Sequence, residues 1–185
     1  MTNLNFIKFK KDNHRNLLAE FLASQEWPFH VNSIVTLEKG LSLVDTNTFS
    51  SEENETWLFF NSENILVGII RLFDMDDIAD RDGAPLFDIR ILKDFQGQGI
   101  GKKAVNWLIA YLYESYPKLN KIEATTRADN YSMRKVLKNC LFLKEGHHRS
   151  SWPSHDGRLI DTARYAILRN DWINKSVTPL EWNDF

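Results

Sequence analysis

A single cysteine, Cys140, stands among 185 residues. That excludes an internal disulfide and any metal site built from several thiolates. No apolar run reaches the roughly 18 residues of a membrane span, and the N-terminal MTNLNFIKFKKDNHR holds nothing of signal-peptide length. A cytoplasmic protein with no membrane partner is therefore expected. Neither charge is in surplus: a net charge of -2 lacks the basic excess of a nucleic-acid-binding domain, so no nucleic acid is expected either. Internal repeats, low-complexity tracts and linker-like segments are also lacking, and the chain is long enough for a substantial core. One domain spanning 1–185 is expected. Aromatic residues are abundant: twelve Phe and six Trp can fill a core and also line a pocket.

Hydrophobic periodicity orders the chain as β-α-α-β-β-β-α-β-α-β-β, an α/β protein with about seven strands and four helices. A first strand is expected over 3–10. Asp12 or Asn13 then caps a helix carrying Leu17, Leu18, Phe21 and Leu22, which ends near Ser24 because Pro28 disfavours helical geometry at Trp27. Residues 31–44 read as a second helix and 46–54 as a polar loop. ETWLFFN (55–61) and NILVGIIRLF (64–73) are two strands joined by a hairpin turn over 61–64; Gly68 inside the second suggests a bulge or a close backbone neighbour. An acidic loop follows over 74–83. Strands are expected over 121–127, 141–151 and 158–168, with a helix opening at Asp129 or Asn130. The last two strands join across Pro153-Ser154-His155-Asp156-Gly157, and the tail after Asp171 is surface-packed or loose.

The chemistry concentrates in PLFDIRILKDFQGQGIGKKAVNWLIAYLYES. In its strand Phe87, Ile89 and Ile91 point one way and Leu86, Asp88, Arg90 and Leu92 the other. Gln96-Gly97-Gln98-Gly99-Ile100-Gly101 then opens a helix whose apolar stripe is Ile100, Ala104, Leu108, Tyr111 and Ser115, widened by Val105, Trp107 and Leu112. A helix start on small residues presents N–H groups and the positive end of the dipole, an arrangement that binds phosphate. The spacing fits neither nucleotide motif. The glycines run G-x-G-x-G without a placed ribose carboxylate, and Lys103 stands where a P-loop needs Ser or Thr. A tight strand-to-helix turn with no ligand is the structural alternative.

Gln96-x-x-Gly99-x-Gly101 in this setting resembles the pyrophosphate loop of the GNAT acetyltransferase superfamily. Arg127-Ala128-Asp129-Asn130-Tyr131-Ser132-Met133-Arg134 is similar to that family's segment in which an Asn contacts the coenzyme. Arg149, Trp152, Asp156-Gly157, Asp161, Tyr165 and the 167–172 run resemble the branch of ribosomal-protein N-terminal acetyltransferases and small-molecule relatives. The resemblance implies a mixed, mostly antiparallel twisted sheet of about seven strands flanked by four helices. It implies acetyl-CoA as cosubstrate, no metal, and an amine-bearing acceptor, either a small molecule or a protein N-terminus. A homodimer is the assembly open to such a chain. Carried over, Gln96, Gly97, Gln98, Gly99, Ile100, Gly101 and Lys102 face the pyrophosphate. Arg90 and Ile91 offer backbone groups to the pantetheine, Asn130 contacts the coenzyme and Met133 lines its channel. As a plain helix cap, Asn130 has an equally good structural reading.

Acetyl transfer to an amine requires a base to remove a proton, a donor for the oxyanion and a proton for the departing thiolate. Asp88 is the base candidate, provided desolvation raises its pKa; pairing with Arg90 or holding the substrate ammonium are its alternatives. The family's usual acid, a tyrosine seven residues after the capping Asn, is replaced by Leu137. Tyr131, Ser132 or Tyr165 could stand in, or solvent could supply the proton. This departure motivates the alternative of a non-catalytic acyl-CoA-binding module. Trp27, Phe29 and His30 are candidates for the acceptor wall, with core packing of the aromatics as the alternative. Asp74, Asp76, Asp77, Asp80 and Asp82 read as a solvated loop without calcium-loop spacing. His147, His148 and His155 lack metal-ligand spacing.

Overall fold

The computed structural model describes residues 3–154 and 156–181. His155, and with it the tip of the expected turn at 153–157, lies outside the described residues. By contact density the described residues form two compact units, 3–76 with 85–104 and 77–84 with 105–181.

The first unit holds β1 (Asn5–Lys8), α1 (Lys11–Ala23), α2 (Leu37–Asp45), β2 (Glu55–Phe60), β3 (Leu66–Phe73) and β4 (Leu86–Ile91). Its strands pair antiparallel in the order β1-β2-β3-β4. One face of this sheet carries Leu58 and Ile69, which share a buried cluster with Leu18, Phe21 and Leu22 of α1 and Val44 of α2. Gly68 behaves as its position in a strand suggested. The register slips between Phe59 and Phe60, and a Cβ on Gly68 would lie 2.2 Å from the Phe59 ring and 2.5 Å from the Arg90 carbonyl oxygen. Only a residue without a side chain lets these strands approach so closely.

The second unit holds β5 (Lys121–Arg127), α4 (Tyr131–Asn139), β6 (Leu143–Pro153), β7 (Leu159–Leu168) and a short α5 (Arg169–Asn174). Its strands pair antiparallel in the order β5-β7-β6. α3 (Ile100–Ser115) runs along the chain from the first unit into the second. No helix among the described residues is long and apolar enough to cross a membrane.

Four details depart from the sequence reading. α1 begins at Lys11, with Lys10 in the cap position and no side-chain capping bond, so Asp12 and Asn13 lie inside the first turn. The second helix is confined to Leu37–Asp45 because Thr36 caps it through the Lys39 N–H. The positions before it form bends, where Val31 and Ile34 are exposed. In α3 the buried stripe is Ile100, Ala104, Val105, Leu108, Ile109, Leu112 and Tyr113. Ser115 is exposed and Tyr111 half-buried, because the buried side of the helix runs through Ile109, Leu112 and Tyr113 instead. Finally, α5 adds a fifth helix at the start of the expected tail.

Candidate active site

The glycine-rich turn is built by its own side chains. After β4 comes a 3-10 turn, Lys93–Phe95. The Gln96 amide donates to the Ile91 carbonyl at 2.8 Å and the Gln98 amide to the Asp94 carbonyl at 2.8 Å. The two glutamines thus brace the turn from within. Gly97 and Gly99 lie at φ +74° and +77°, left-handed backbone that a side chain disfavours. These two turns aim the chain into α3, where Ile100 and Gly101 begin the helix. N–H groups of a first helical turn point along the axis without intrahelical acceptors, next to the positive end of the dipole. Gln25 accepts from the Lys93 N–H at 2.8 Å and ties the turn to the end of α1.

β4 places its polar residues as its alternation requires. In the antiparallel register Asp88 stands opposite Arg71 and Arg90 opposite Ile69. These side chains share the face that packs toward α1. The bend after α1 brings two candidate acceptor-wall residues to the same face. Trp27 is 3% exposed, donates its indole N–H to the Leu22 carbonyl at 2.8 Å and packs on Phe21. The Arg90 guanidinium lies 5.5 Å from the Trp27 ring centroid, and His30 meets that ring edge-on at 6.1 Å. Trp27 is therefore a core residue that also faces Arg90. Phe29, the third candidate, is half-buried in the same bend.

His30 Nδ1 lies 2.9 Å from Asp88 Oδ1, with one fifth of each side chain exposed. Arg90 Nε approaches Asp88 Oδ2 at 3.4 Å. Burial alone would raise the Asp88 carboxyl. The charge and hydrogen bond of His30, then the charges of Arg90 and Arg71, outweigh it and hold the carboxyl well below the usual carboxylate range. The condition on which Asp88 could serve as base, a raised pKa, is not met: ionised throughout the neutral range, it is a weak proton acceptor. It can only accept hydrogen bonds, so the facing His30 nitrogen, Nδ1, is the donor. Sequence inspection placed His30 on the wall and missed this pairing, which no local motif signals.

In the second unit Asn130 is the N-cap of α4, its side chain accepting from the Met133 N–H at 3.1 Å. Arg127 and Asp129 pair at 2.7 Å. Leu137, where the family's tyrosine would stand, is fully buried core. Tyr165 is also buried, and its hydroxyl accepts from Arg134 Nε at 3.0 Å. Tyr131 is 74% exposed and Ser132 is exposed as well. His147 is engaged by Asp161 at 2.8 Å.

A strand, a double left-handed glycine turn and a helix N-terminus stand beside a polar sheet face, an arrangement of the kind that can receive an anionic group. Comparison with known proteins makes this specific. The family described as acetyltransferase (GNAT) domain matches residues 3–142, and the chain belongs to that family. Over 107 residues it is 29% identical to the Bacillus subtilis protein named "Putative ribosomal N-acetyltransferase YdaF", a match covering 58% of this chain and 56% of that protein. The chain thus spans little more than half the length of that curated relative. The fold matches a chimera of the Vibrio cholerae spermidine N-acetyltransferase SpeG and hSSAT, with a TM-score of 0.76 at 19% identity, covering 92% of this chain and 98% of that one. A dodecameric spermidine N-acetyltransferase from Vibrio cholerae matches with a TM-score of 0.73 at 18% identity, covering 94% and 98%. The expected α/β architecture of about seven mostly antiparallel strands is therefore the architecture observed.

Proposed function

We propose that the chain is an acetyl-CoA-dependent N-acetyltransferase acting on a primary amine by direct attack on the thioester, and works as one acetyltransferase domain. The observation that carries this is the turn in which Gly97 and Gly99 adopt left-handed backbone immediately before α3, in a chain of the GNAT family. Residues 96–102 hold the pyrophosphate through main-chain N–H groups, and Arg90 and Ile91 offer backbone to the pantetheine. The Ile91 carbonyl already accepts from Gln96, so the role left to that residue is donation. Asn130 and Met133 keep the coenzyme-channel roles that the family resemblance implies.

His30 is the proton acceptor in this reading, with Asp88 as its positioning residue. Nε2 takes a proton from the acceptor ammonium and the neutral amine nitrogen attacks the acetyl carbonyl carbon. The tetrahedral intermediate then releases the second proton of its nitrogen to solvent and collapses as the C–S bond breaks, coenzyme A leaving as thiolate. Asp88 fixes the His30 ring and stabilises the imidazolium that forms, the same division of labour as in other carboxylate–histidine pairs. With Leu137 in the core, Tyr131 or Ser132, Tyr165 or solvent supplies the proton that the departing thiolate takes up.

Thermal unfolding with millimolar acetyl-CoA and a thiol-release screen across acceptor amines test the reading together. Coenzyme is expected to raise the melting temperature, and Gly99→Glu to abolish the rise through both its strained φ and its charge. Absence of any rise in the wild type would sink the proposal. A rise with no thiol released by any amine would instead identify a non-catalytic acyl-CoA-binding module. His30→Gln is expected to lower kcat by about 10²–10⁴-fold, the usual contribution of a positioned acid–base group.

A further inference from the structure

Thr56, Arg71 and Asp88 face one another directly across β2, β3 and β4, and Arg90 stands two positions beyond Asp88 on the same strand face. This row has more donors than acceptors. Asp88 serves His30 at 2.9 Å and Arg90 Nε at 3.4 Å. Arg71 has a long contact to the Thr48 carbonyl at 3.4 Å and lies over the rings of Phe73 at 4.8 Å and Phe49 at 6.0 Å. Among the described residues, an Nη nitrogen of Arg90, Nε of Arg71 and the hydroxyl of Thr56 are buried with no hydrogen-bond partner. Arg90 as a whole is only 8% exposed.

Burying a guanidinium with an unmet N–H is costly, and burying two side by side more so. Desolvation pushes the Arg71 guanidinium down and the nearby Arg90 charge pushes the same way. Asp88 opposes both, and the exposed Asp74 opposes them more weakly. The arrangement becomes balanced once an acceptor with one negative charge joins it. Two guanidinium charges against the single Asp88 carboxylate leave positive charge unmatched among these three groups. The planar, singly charged carboxylate is the acceptor whose geometry fits a guanidinium.

We propose that Arg71 and Arg90 receive the carboxylate of an acceptor that carries its amine and a carboxylate together, a small amino-acid-like zwitterion. This rests on the acetyltransferase reading and narrows it. Planar guanidinium N–H groups match carboxylate geometry, and the aromatic surroundings of Trp27, Phe49 and Phe73 keep water from competing. A polyamine, cationic along its length, brings no partner for these donors and is repelled by them.

The test uses matched amines that differ only in the carboxylate: lysine and cadaverine, arginine and agmatine, tyrosine and tyramine, with spermidine and a neutral N-terminal peptide amide alongside. Thiol release from acetyl-CoA by the full chain gives kcat and KM for each. The carboxylated member of at least one pair is expected to exceed its partner in kcat/KM by on the order of 1,000-fold, as sites built to satisfy a polar group reject analogues lacking it. Arg71→Met and Arg90→Met are each expected to erase that preference through KM, while acetyl-CoA still raises the melting temperature of both variants. Equal or faster turnover of the decarboxylated partners, of spermidine or of the peptide amide overturns the proposal and leaves the acetyltransferase reading standing. Coenzyme binding without turnover of any amine overturns both the proposal and the catalytic reading. No response to acetyl-CoA removes the parent reading itself.

Discussion

Two arginines show how differently the same side chain is used in the two units. Arg169, at the start of α5, donates to three main-chain carbonyls, of Leu119 at 2.7 Å, Tyr113 at 2.9 Å and Tyr116 at 2.5 Å, and covers the Tyr113 ring at 4.6 Å. It closes the C-terminal end of α3, where carbonyl oxygens lack intrahelical donors and the dipole favours a cation. Arg90 also covers an aromatic ring, that of Trp27, yet has one long contact to Asp88 and a buried nitrogen without a partner. A satisfied guanidinium holds the fold together. One left wanting acceptors is a receptor.

Breaking the satisfied one has the largest expected effect on stability. Arg169→Met removes three charge-assisted bonds and leaves carbonyls at the end of α3 unmet, so a loss of about 3 kcal/mol or more is expected in urea unfolding. Gly68→Ala comes next. Its Cβ collides with the Phe59 ring and with the Arg90 main chain, and overpacking of that kind costs about 1–3 kcal/mol. Because Arg90 moves with its strand, the same variant should also lose acceptor selectivity.

The Asp88 carboxyl gives a smaller effect that depends on pH. Its folded pKa is depressed by His30, Arg90 and Arg71, whereas in the unfolded chain it titrates near the ordinary value of about 3.9. On acidification the unfolded state takes up its proton first. The stability contributed by the ionised carboxylate is therefore complete above about pH 5 and declines as pH falls through the unfolded value. Denaturation midpoints of the wild type and Asp88→Asn should begin to draw together below about pH 5 and go on doing so as pH falls toward the depressed folded value; a constant gap would show that the carboxylate charge is not what stabilises. The smallest change is expected from Arg90→Met. Asp88 keeps His30, and one unmet buried donor disappears, so stability should stay within about 1 kcal/mol of wild type. A loss as large as that of Arg169→Met would make Arg90 a structural residue and erase the contrast.

How much was legible beforehand depends on how local each feature is. Asn130 caps α4 through its own segment, and the 96–101 glycines declare a turn into a helix from spacing alone. Phe87, Ile89 and Ile91 alternate with Asp88 and Arg90 in the chain as they do in β4. The 31–44 stretch misled because scattered apolar residues imitate a helical period, while the Thr36 cap decides where the helix starts.

By itself the sequence determined the family-defining turn, the strands and the absence of a buried tyrosine at Leu137, because these rest on backbone geometry and residue type at neighbouring positions. Only the tertiary structure decided what Asp88 does. Bringing His30 from the bend after α1 and Arg71 from β3 against it reversed the direction of its proton affinity. Charges separated along a chain act on one another only once folding brings them within a few ångströms in a medium that screens poorly.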